Sequence, residues 1–537
     1  MTEFHIIVAT DLTEESLKIL RESPNIRVTV APPNVQALRP LLKDAHALIV
    51  RDDVLVDADL IAGAPLLKLI GHPSAGLSGV DIEFATGRGI LVMNMPGVTA
   101  VAAAELTLSL MLALSRHLVV AHNSLKAGYW LLDRSRQVGA QLRGKTLGII
   151  GIGRVGRVVV TLAQAFGMKI IAYDPYSDED LLNDPRIQFV GLRDLLTESD
   201  YVTVHVSETR ETRGLLNAER IAQMKLGARL INTAYGGVVD EQALADALQA
   251  GKLSGVAVDV FRDEPPYTSP LIGLDSVIHT PHIGDNTEEA KQDLSYKIVR
   301  QVLDALYDVD YRNVVNLPLI QGMGYETLRP YMTLAERIGA LLVTLSRHPV
   351  KRVAVELRGE EAGELVKPVM VALLTGLLSH EMGDAVSYIN APVLGHERGI
   401  QVYQTKNLPT GGYSNLVSCK VTLDDGEDIV MAGTLLDRRV PHITQINEYR
   451  MNFVPEGHLL LMGSYDQPGV IGRVGMLLAD SAVNIASWHT GRAQPGGQTL
   501  TVLTLDEPLP EDVLKALEGQ EFVRHAHQVD LSAKKGG

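Results

Sequence analysis

The first hundred residues alternate short apolar runs with helix-like segments. Five runs have the length and β-branched content of buried strands, namely "HIIVAT", "RVTVA", "ALIVR", "LKLIG" and "ILVMN". Between them, apolar residues recur at helical spacing in "EESLKILRE" and "NVQALRPLLKDA". Regular alternation of strand and helix is typical of a parallel α/β unit, so the pattern predicts one from residue 1 to about residue 97.

A second α/β series follows, and the rhythm then changes twice. Six further strand candidates run from "KTLGIIGIG" to "SVIHTPH", which predicts a doubly wound sheet. Beyond about Asn316, a long amphipathic helix and half-exposed strands predict an α+β domain that ends near Val454. From His458 the order strand, helix, strand, strand, helix, strand predicts a ferredoxin-like module. The predicted class is therefore α/β with two doubly wound, Rossmann-like domains, an α+β domain and a ferredoxin-like domain.

Composition narrows the possible partners. The chain has 537 residues and a formal net charge of -15, a field that repels nucleic acid and anionic membranes. The most apolar helical stretch, "VAAAELTLSLMLALSRHLVVA", contains Glu105, Arg116 and His117, which indicates a buried helix rather than a membrane span. The N-terminus lacks the basic and apolar regions of a signal peptide. With Cys419 as the one cysteine, no intrachain disulfide is possible, and a reducing cytoplasm is expected.

A dinucleotide fingerprint lies in "KTLGIIGIGRVGRVVVTLAQAFGMKIIAYDP". Gly151, Gly153 and Gly156 follow an apolar strand and open a helix, where backbone N–H groups and the helix N-terminus attract a pyrophosphate. Asp174 ends the next strand, 18 residues after Gly156, where a carboxylate accepts hydrogen bonds from ribose hydroxyls and repels a 2'-phosphate. The fingerprint predicts NAD rather than NADP as cofactor. Its predicted contacts also include Arg154, Val155, Thr233 and Asp259.

Three acid–base residues lie at or just beyond two later strand ends. They are Asp259 and Glu264 in "GVAVDVFRDEPP" and His282 in "IHTPHIGDNTEEA". Histidine transfers protons near neutral pH, and a carboxylate beside it fixes its tautomer. Oxidation of a 2-hydroxy acid needs such a pair, because the hydroxyl loses a proton as the nicotinamide takes a hydride. From spacing alone, a capping or core role for the pair is the alternative.

The chain resembles the D-isomer-specific 2-hydroxyacid dehydrogenases, and among them the long-form D-3-phosphoglycerate dehydrogenases. The similarity rests on "GKTLGIIGIGRVGR", "DVF..EPP", "PHIG", "NAPVLGHERGI", "YSNLV" and "DQPGVIGRVGMLLADSAVNIAS", and it extends along essentially the whole chain. The resemblance implies a substrate-binding domain from residues 1–97 and 292–318 and an NAD-binding domain from 98–291. It also implies an intervening regulatory domain from 319–454 and an ACT domain from 455–532. The implied reaction is NAD-dependent oxidation of D-3-phosphoglycerate at the head of serine synthesis, with His282 and Glu264 as the catalytic pair.

Departures from the family pattern cluster in the substrate loops. Tyr235 stands where the family has an arginine for the substrate carboxylate, and a phenol cannot form the bidentate charged pair of a guanidinium. Other loop positions also differ, at His72, Ser74, Ser78, Gly79, Asp285 and Asn286. Substrate contacts are predicted at Tyr235, at Arg51, at Arg134 and at the loop residues His72 and Ser74. Two alternatives remain open: a dehydrogenase of another D-2-hydroxy acid, or a non-catalytic sensor subunit that binds NAD and an amino acid.

The C-terminal module carries the predicted effector site. ACT domains pair through their sheets and bind amino acids at strand–helix turns, so the resemblance implies an amino-acid effector, of which serine is the expected one. Its predicted contacts are Asp466, Gly469, Ile471 and Asn484. A purely dimerising module is the alternative. The resemblance also implies a homo-oligomer, with a tetramer as the expected state.

Overall fold

A computed structural model describes residues 3–51, 54–77, 79–130, 138–177, 183–317, 324–359, 362–407 and 415–532. The chain forms two compact units. One comprises residues 1–94 and 297–537, and the other comprises residues 95–296. Arg134 and Ser78, two of the residues singled out from the sequence, lie outside the described residues.

The N-terminal part of the first unit is a five-stranded parallel sheet with the order β2-β1-β3-β4-β5. Its strands are β1 (Phe4–Ala9), β2 (Ile26–Val30), β3 (Ala47–Val50), β4 (Leu69–Gly71) and β5 (Leu91–Met93). The connecting helices are α1 (Glu14–Glu22), α2 (Val35–Leu41), α3 (Ala58–Ala62) and α4 (Ile82–Gly87). Each helix starts at a side-chain cap, which satisfies a backbone N–H of its first turn; the caps are Thr13, Asn34, Asp57 and Asp81.

The second unit is built on a seven-stranded parallel sheet. Its order is β12-β11-β10-β9-β6-β7-β8, from β6 (Thr146–Ile150), β7 (Lys169–Tyr173), β8 (Gln188–Phe189), β9 (Tyr201–Val204), β10 (Ala228–Asn232), β11 (Leu253–Val258) and β12 (Val277–His279). Its helices are α5 (Ala100–Ser115), α6 (Leu118–Lys126), α7 (Arg154–Ala165), α8 (Leu192–Glu198), α9 (Ala218–Gln223) and α10 (Glu241–Gln249). The doubly wound prediction is confirmed. The two-residue strand β8 was missed because so short a run has no detectable period.

The apolar stretch predicted as one buried helix is two helices. His117 adopts a left-handed backbone with φ 51, and the axes of α5 and α6 are bent by 66° there. Helix α5 is buried along one side, whereas none of the residues of α6 is buried. The prediction was therefore wrong for α6, whose apolar residues Leu118 and Leu125 are 60% and 59% exposed.

A third sheet, in the first unit, is mixed. Its order is β14-β13-β15-β16-β17-β18, from β13 (Val350–Gly359), β14 (Gln401–Asn407), β15 (Asn415–Leu423), β16 (Asp428–Leu436), β17 (Val440–Ile446) and β18 (Tyr449–Phe453). After helix α11 (Glu288–Leu306), helices α12 (Tyr325–Leu345), α13 (Ala362–Met382) and α14 (Ala391–Glu397) accompany this sheet. Helices α12 and α13 touch through backbone, because a Cβ on Gly376 would lie 1.9 Å from the Glu336 carbonyl oxygen and one on Gly339 would lie 2.3 Å from that of Leu373.

The segment Leu365–Ala385 satisfies the length and hydropathy of a membrane span, with a mean hydropathy of 1.3. However, 72% of its most apolar 18-residue stretch is buried inside the fold. Its side chains, among them Val369, Leu373 and Leu377, belong to the core beneath the third sheet. The segment is therefore a core helix of this unit.

The fourth sheet has the predicted ferredoxin-like order. Strands β19 (His458–Tyr465), β20 (Ile485–Arg492), β21 (Gln498–Leu505) and β22 (Val523–Asp530) are antiparallel in the order β20-β21-β19-β22. Helices α15 (Val470–Asp480) and α16 (Glu511–Glu518) cover one face, where Leu460 and Met462 are buried.

The opposite face of the fourth sheet shares a core with the third sheet and its helices. Because side chains alternate along a strand, Leu459 and Leu461 of β19 point away from α15 and α16 and join the core that contains α12 and α13. Strand β20 packs directly on β18, since a Cβ on Gly491 would lie 2.9 Å from the Tyr449 Cβ. The α+β and ferredoxin-like parts therefore form one packed body.

Truncation of Leu461 to alanine tests this shared core. Leu461 is fully buried, so we expect the free energy of unfolding to fall by about 2–5 kcal/mol, from lost apolar burial and the cavity left behind. Urea unfolding of the full chain measures the change. Leu436→Ala is the matched control, because Leu436 is 42% exposed and its truncation should change stability by less than about 0.5 kcal/mol. Equal effects of the two substitutions would contradict the shared core.

Candidate active site

The glycine loop connects β6 to α7 and has the shape that a dinucleotide requires. Gly151 has φ 93, and a Cβ there would lie 2.8 Å from the His205 carbonyl oxygen. A Cβ on Gly156 would lie 2.3 Å from the Gly151 carbonyl oxygen, so this glycine permits close packing of the helix on the turn. A Cβ on Gly153 would meet nothing within 4 Å, which leaves open space above the N-terminus of α7. The residues present fit a pyrophosphate at this helix end.

Asp174 lies at the end of β7, beside the same loop. Its two carboxylate oxygens accept N–H bonds from Ile152 and Tyr176, both at 2.9 Å. These bonds hold the carboxylate next to the glycine turn, and each oxygen keeps a further lone pair for a ribose hydroxyl. Arg154 and Val155 follow in the first turn of α7, where the Arg154 stem lies against Gly97. Six of the predicted cofactor positions are thus adjacent in space, namely Gly151, Gly153, Arg154, Val155, Gly156 and Asp174.

His205 is a residue of this site that the sequence argument did not select. It follows β9, which neighbours β6 where the strand order reverses, the usual ligand position in a doubly wound sheet. Its Nε2 lies 2.9 Å from the Thr203 hydroxyl, and burial lowers the pKa of the imidazole to about 3. The ring is therefore neutral at physiological pH. The signal in the sequence was a histidine immediately beyond a buried strand, "YVTVHV".

Asp259 joins the loops that follow three adjacent strands. The side chain is 1% exposed, and its Oδ1 accepts bonds from the Thr280 hydroxyl at 2.5 Å and the Ile283 N–H at 2.9 Å. Its Oδ2 accepts the Gly284 N–H at 2.8 Å, and its own N–H donates to the Asn232 carbonyl at 2.9 Å. Asp259 was predicted as a cofactor contact. The structure gives its carboxylate a positioning role for the histidine loop, and the cofactor contact remains a prediction.

The predicted catalytic pair is formed. His282 adopts a left-handed backbone with φ 52, and its Nδ1 lies 2.8 Å from Glu264 Oε2. The second carboxylate oxygen, Oε1, accepts the Phe261 N–H at 3.0 Å, which fixes the glutamate in place. The His282 side chain is 58% exposed. The pair therefore leaves Nε2 as the ring nitrogen for a substrate proton.

Carboxylates around His282 control its charge. Partial burial favours the neutral ring, but the hydrogen bond and charge of Glu264, with the charges of Asp259 and Asp285, outweigh it. The pKa of His282 is therefore raised above its ordinary value. The imidazolium form of His282 is therefore stabilised relative to that of an isolated histidine.

Tyr235 lies in the loop that follows β10 in the second unit. The residue is 36% exposed, and its carbonyl accepts a bond from Asn232 Nδ2 at 2.9 Å. The next residue, Gly236, packs tightly, because a Cβ there would lie 1.9 Å from the Phe261 carbonyl carbon. The backbone around Tyr235 is therefore fixed against the segment that leads to Glu264. Thr233, in the same loop, has its hydroxyl 2.8 Å from that of Thr107.

Three predicted substrate contacts lie in the first unit. Arg51 follows β3 beside β1, where the strand order of the first sheet reverses, and it is half-buried. Ser74 is also half-buried, and its hydroxyl accepts the Gly76 N–H at 3.3 Å. His72 is 0% exposed, so its ring offers no surface for a ligand in this structure. The role of His72 as a contact for the substrate acid stays a prediction without geometric support.

The predicted effector residues do not converge within one chain. Asp466 follows β19 and accepts the Gly496 N–H at 2.9 Å, beside Arg492 at 3.4 Å. Gly469 begins α15 with φ 94, and Ile471 is 66% exposed in the same turn. Asn484 lies at the opposite end of the sheet, where its Nδ2 donates to Asp506 Oδ2 at 2.7 Å. A site that includes all four needs residues from more than one chain.

Three parts of the chain match models of protein families. Residues 108–284 match the NAD binding domain of D-isomer specific 2-hydroxyacid dehydrogenases. Residues 327–447 match the D-3-phosphoglycerate dehydrogenase intervening domain, and residues 458–522 match the ACT domain.

Solved structures match the dehydrogenase part. A D-lactate dehydrogenase from Aquifex aeolicus, complexed with NAD and lactic acid, is 31% identical with a TM-score of 0.51, over 57% of this chain and 96% of that one. A glyoxylate reductase from Paecilomyes thermophila is 27% identical with a TM-score of 0.54, over 59% of this chain and 99% of that one.

Curated relatives match the whole chain. A D-3-phosphoglycerate dehydrogenase of Methanocaldococcus jannaschii is 38% identical over 98% of this chain and 99% of its own length. The enzymes of that name from Synechocystis sp. and Bacillus subtilis are 35% and 34% identical, each over 98% of this chain and over 94% and 100% of their own lengths. The chain therefore belongs to the D-3-phosphoglycerate dehydrogenase family of NAD-dependent, D-isomer-specific 2-hydroxyacid dehydrogenases.

Proposed function

We propose that the chain oxidises D-3-phosphoglycerate to 3-phosphohydroxypyruvate with NAD, the first step of serine biosynthesis. The observation that carries the proposal is the bonded His282–Glu264 pair beside a complete dinucleotide loop. The chain also matches dehydrogenases named for this substrate along 98% of its length. NAD, when bound, supplies the acceptor for the hydride that leaves the substrate C2.

The residues of the chain then carry the proton. Glu264 holds the proton on His282 Nδ1, so Nε2 is the basic nitrogen. Nε2 takes the proton from the substrate hydroxyl, and the imidazolium that results is stabilised by Glu264 and by the nearby charges of Asp259 and Asp285. In the reverse direction the same imidazolium returns the proton to the carbonyl oxygen.

A second candidate function is the oxidation of another D-2-hydroxy acid. It is favoured by two departures: Tyr235 replaces a cation with a neutral phenol, and Asp285 adds negative charge near His282. Both changes weaken the attraction for a substrate that carries a phosphate as well as a carboxylate. Arg51 is the cation that we assign to the substrate acid in the first unit.

The C-terminal modules and the exposed surface support a proposal for regulation and assembly. We assign serine as the effector of the ACT domain, at residues 458–522, which would make the enzyme subject to end-product control. We also assign a homotetramer, because α6 presents Leu118, Val120 and Leu125 to solvent and an exposed apolar face of this kind is typical of subunit contacts. A cytoplasmic location fits the single, buried Cys419.

Purified wild-type protein should bind NADH and reduce 3-phosphohydroxypyruvate. Tyr235→Arg should raise kcat/KM by up to about a hundred-fold, because a guanidinium binds the carboxylate with two charged hydrogen bonds. NADH fluorescence measures binding, and NADH absorbance measures turnover with 3-phosphohydroxypyruvate and a panel of 2-oxo acids.

Tyr235→Phe is the matched control for the hydroxyl alone. If wild type binds NADH but prefers an unphosphorylated 2-oxo acid, the second candidate function is correct. If it binds NADH and reduces none of the acids until arginine is present, the chain is not an active phosphoglycerate dehydrogenase and the proposal fails.

Replacement of Glu264 by glutamine tests the proton path. The folded-state pKa of His282 is raised mainly through Glu264 against partial burial, so Glu264→Gln should lower it. Oxidation needs neutral His282, so kcat/KM for oxidation falls at low pH. In the variant this fall should move to lower pH. Reduction needs protonated His282. As pH rises, the reductive activity of the variant should therefore be lost at a lower pH than that of wild type. The plateau should fall on the order of a hundred-fold.

Asp263→Asn is the control for this pH profile, because Asp263 is an exposed neighbour with no charge interaction among those that shift the pKa of His282. Coincident pH profiles for Glu264→Gln and wild type would show that another group accepts the substrate proton.

A further inference from the structure

Asp308 lies just beyond helix α11 in an unusual backbone conformation. It has φ 57, in the left-handed region, and its N–H bonds to the Ala305 carbonyl at 3.2 Å. A residue with a Cβ adopts this conformation at some cost, which other contacts must offset. The carboxylate supplies those contacts.

Donors reach this carboxylate from both sides of the 318–323 stretch. The Tyr311 hydroxyl donates to Oδ1 at 2.8 Å, and the Tyr325 hydroxyl lies 3.5 Å from the same oxygen. Arg329 Nη2 donates to Oδ2 at 3.2 Å. The rings of Tyr311 and Tyr325 meet edge to face, with centroids 4.8 Å apart. Burial raises the pKa of both tyrosines, and the charge of Asp308 raises it further, so both remain neutral donors.

One side of this cluster is anchored to the first sheet. Residues 307–317, the return segment, follow α11 and run along β5. Val315 N–H donates to the Val92 carbonyl at 2.8 Å, and the Asn316 side chain bonds the Val92 N–H and the Ile90 carbonyl. The Tyr307 hydroxyl donates to the Pro24 carbonyl at 2.6 Å. Movement of the return segment therefore moves an edge strand of the first sheet.

The other side belongs to the core that the third and fourth sheets share, here named the regulatory core because it includes strands of the ACT-domain match. Tyr325 and Arg329 lie one turn apart on α12, so they present one face of its first turn to Asp308. A carboxylate near a helix N-terminus is also stabilised by the helix dipole. Farther along, Leu334 and Ile338 of α12 are fully buried in the core that includes Leu461 of the fourth sheet.

A second contact between the same parts limits the available motion. A Cβ on Gly89, just beyond α4, would lie 3.0 Å from Ser387 Oγ and 3.1 Å from Asn390 Nδ2. Asn390 is 4% exposed and bonds the Ser387 N–H and the Ala385 carbonyl, both at 2.8 Å. This contact is close packing without a charge. Of these two contacts, the packing at Gly89 and the cluster around Asp308, the Asp308 cluster is the one that contains charged hydrogen bonds.

We propose that Asp308 is a latch: its carboxylate ties the return segment of the first sheet to the first turn of α12, so that a movement of the regulatory core is transmitted to the first sheet. The latch acts through Tyr325 and Arg329 on one side and Tyr311 on the other. It operates whichever acid is the substrate and whichever amino acid is the effector.

Hydrogen–deuterium exchange of the full chain, followed by mass spectrometry, tests the latch. Asp308→Asn keeps the shape and removes the charge. The Asp308 side chain is 53% exposed, so its charged hydrogen bonds are partly screened by water. Peptides from both residues 307–317 and residues 324–332 should therefore exchange about two- to fivefold faster, because the hydrogen bonds that close both segments are weakened. Peptides from residues 458–465 should not change. Tyr325→Phe keeps the buried ring, and should produce a smaller acceleration in the same two segments.

Asp424→Asn is the matched control, since Asp424 forms an exposed ion pair with Lys351 at 3.7 Å within the third sheet and its loss should alter neither segment. Faster exchange confined to residues 307–317, or no change in either segment, would overturn the latch and leave apolar packing as the link. The exchange rates of the two segments do not depend on turnover. Failure of the proposed reaction therefore cannot be mistaken for failure of the latch.

Discussion

The buried carboxylate of Asp259 is the constraint on which the catalytic half of the second unit depends. A charge that is 1% exposed is costly unless hydrogen bonds replace its water, and here a hydroxyl and two backbone N–H groups do so. The groups that satisfy it all belong to the loop around His282. Satisfying the charge therefore also shapes the loop, and it offsets the left-handed backbone that aims His282 at Glu264.

A second constraint is the absence of a free face on the ferredoxin-like sheet of the described chain. Its helices cover one face, and the core of α12 and α13 covers the other. A ligand that alters this sheet must therefore act on a body that already includes α12. The first turn of α12 is in turn bonded to Asp308, so packing and one ionic cluster form a continuous path toward the first sheet.

Features that rest on local periodicity or spacing were predicted well from the sequence. Features that depend on one residue or on contacts between distant residues were predicted poorly. Strand–helix alternation, the glycine fingerprint with Asp174, and the His282–Glu264 pair each rest on local spacing, and the structure contains all of them. The break at His117 was missed because one residue with positive φ changes no periodicity. The burial of His72 and the positioning role of Asp259 depend on residues far away in sequence, which a pattern along the chain does not contain. The separation of Asp466 from Asn484 likewise follows from strand direction.

The departures from the family pattern affect recognition of the acid and leave the residues for proton transfer unchanged. Proton transfer needs a donor and an acceptor at fixed distance, and the 2.8 Å contact between His282 and Glu264 is intact. Recognition of an acid depends on charge delivered by several groups, so under the proposed function the phenol of Tyr235 in place of a guanidinium would lower affinity for the transition state without removing the chemistry. Asp285 affects both proton transfer and recognition, since its charge favours the imidazolium of His282 and opposes an anionic substrate. Under the proposed function, the substrate loops therefore set the affinity for the acid and the pH at which each direction is fastest, while removal of the hydride and the proton from the hydroxy acid is assigned to the dinucleotide loop and His282.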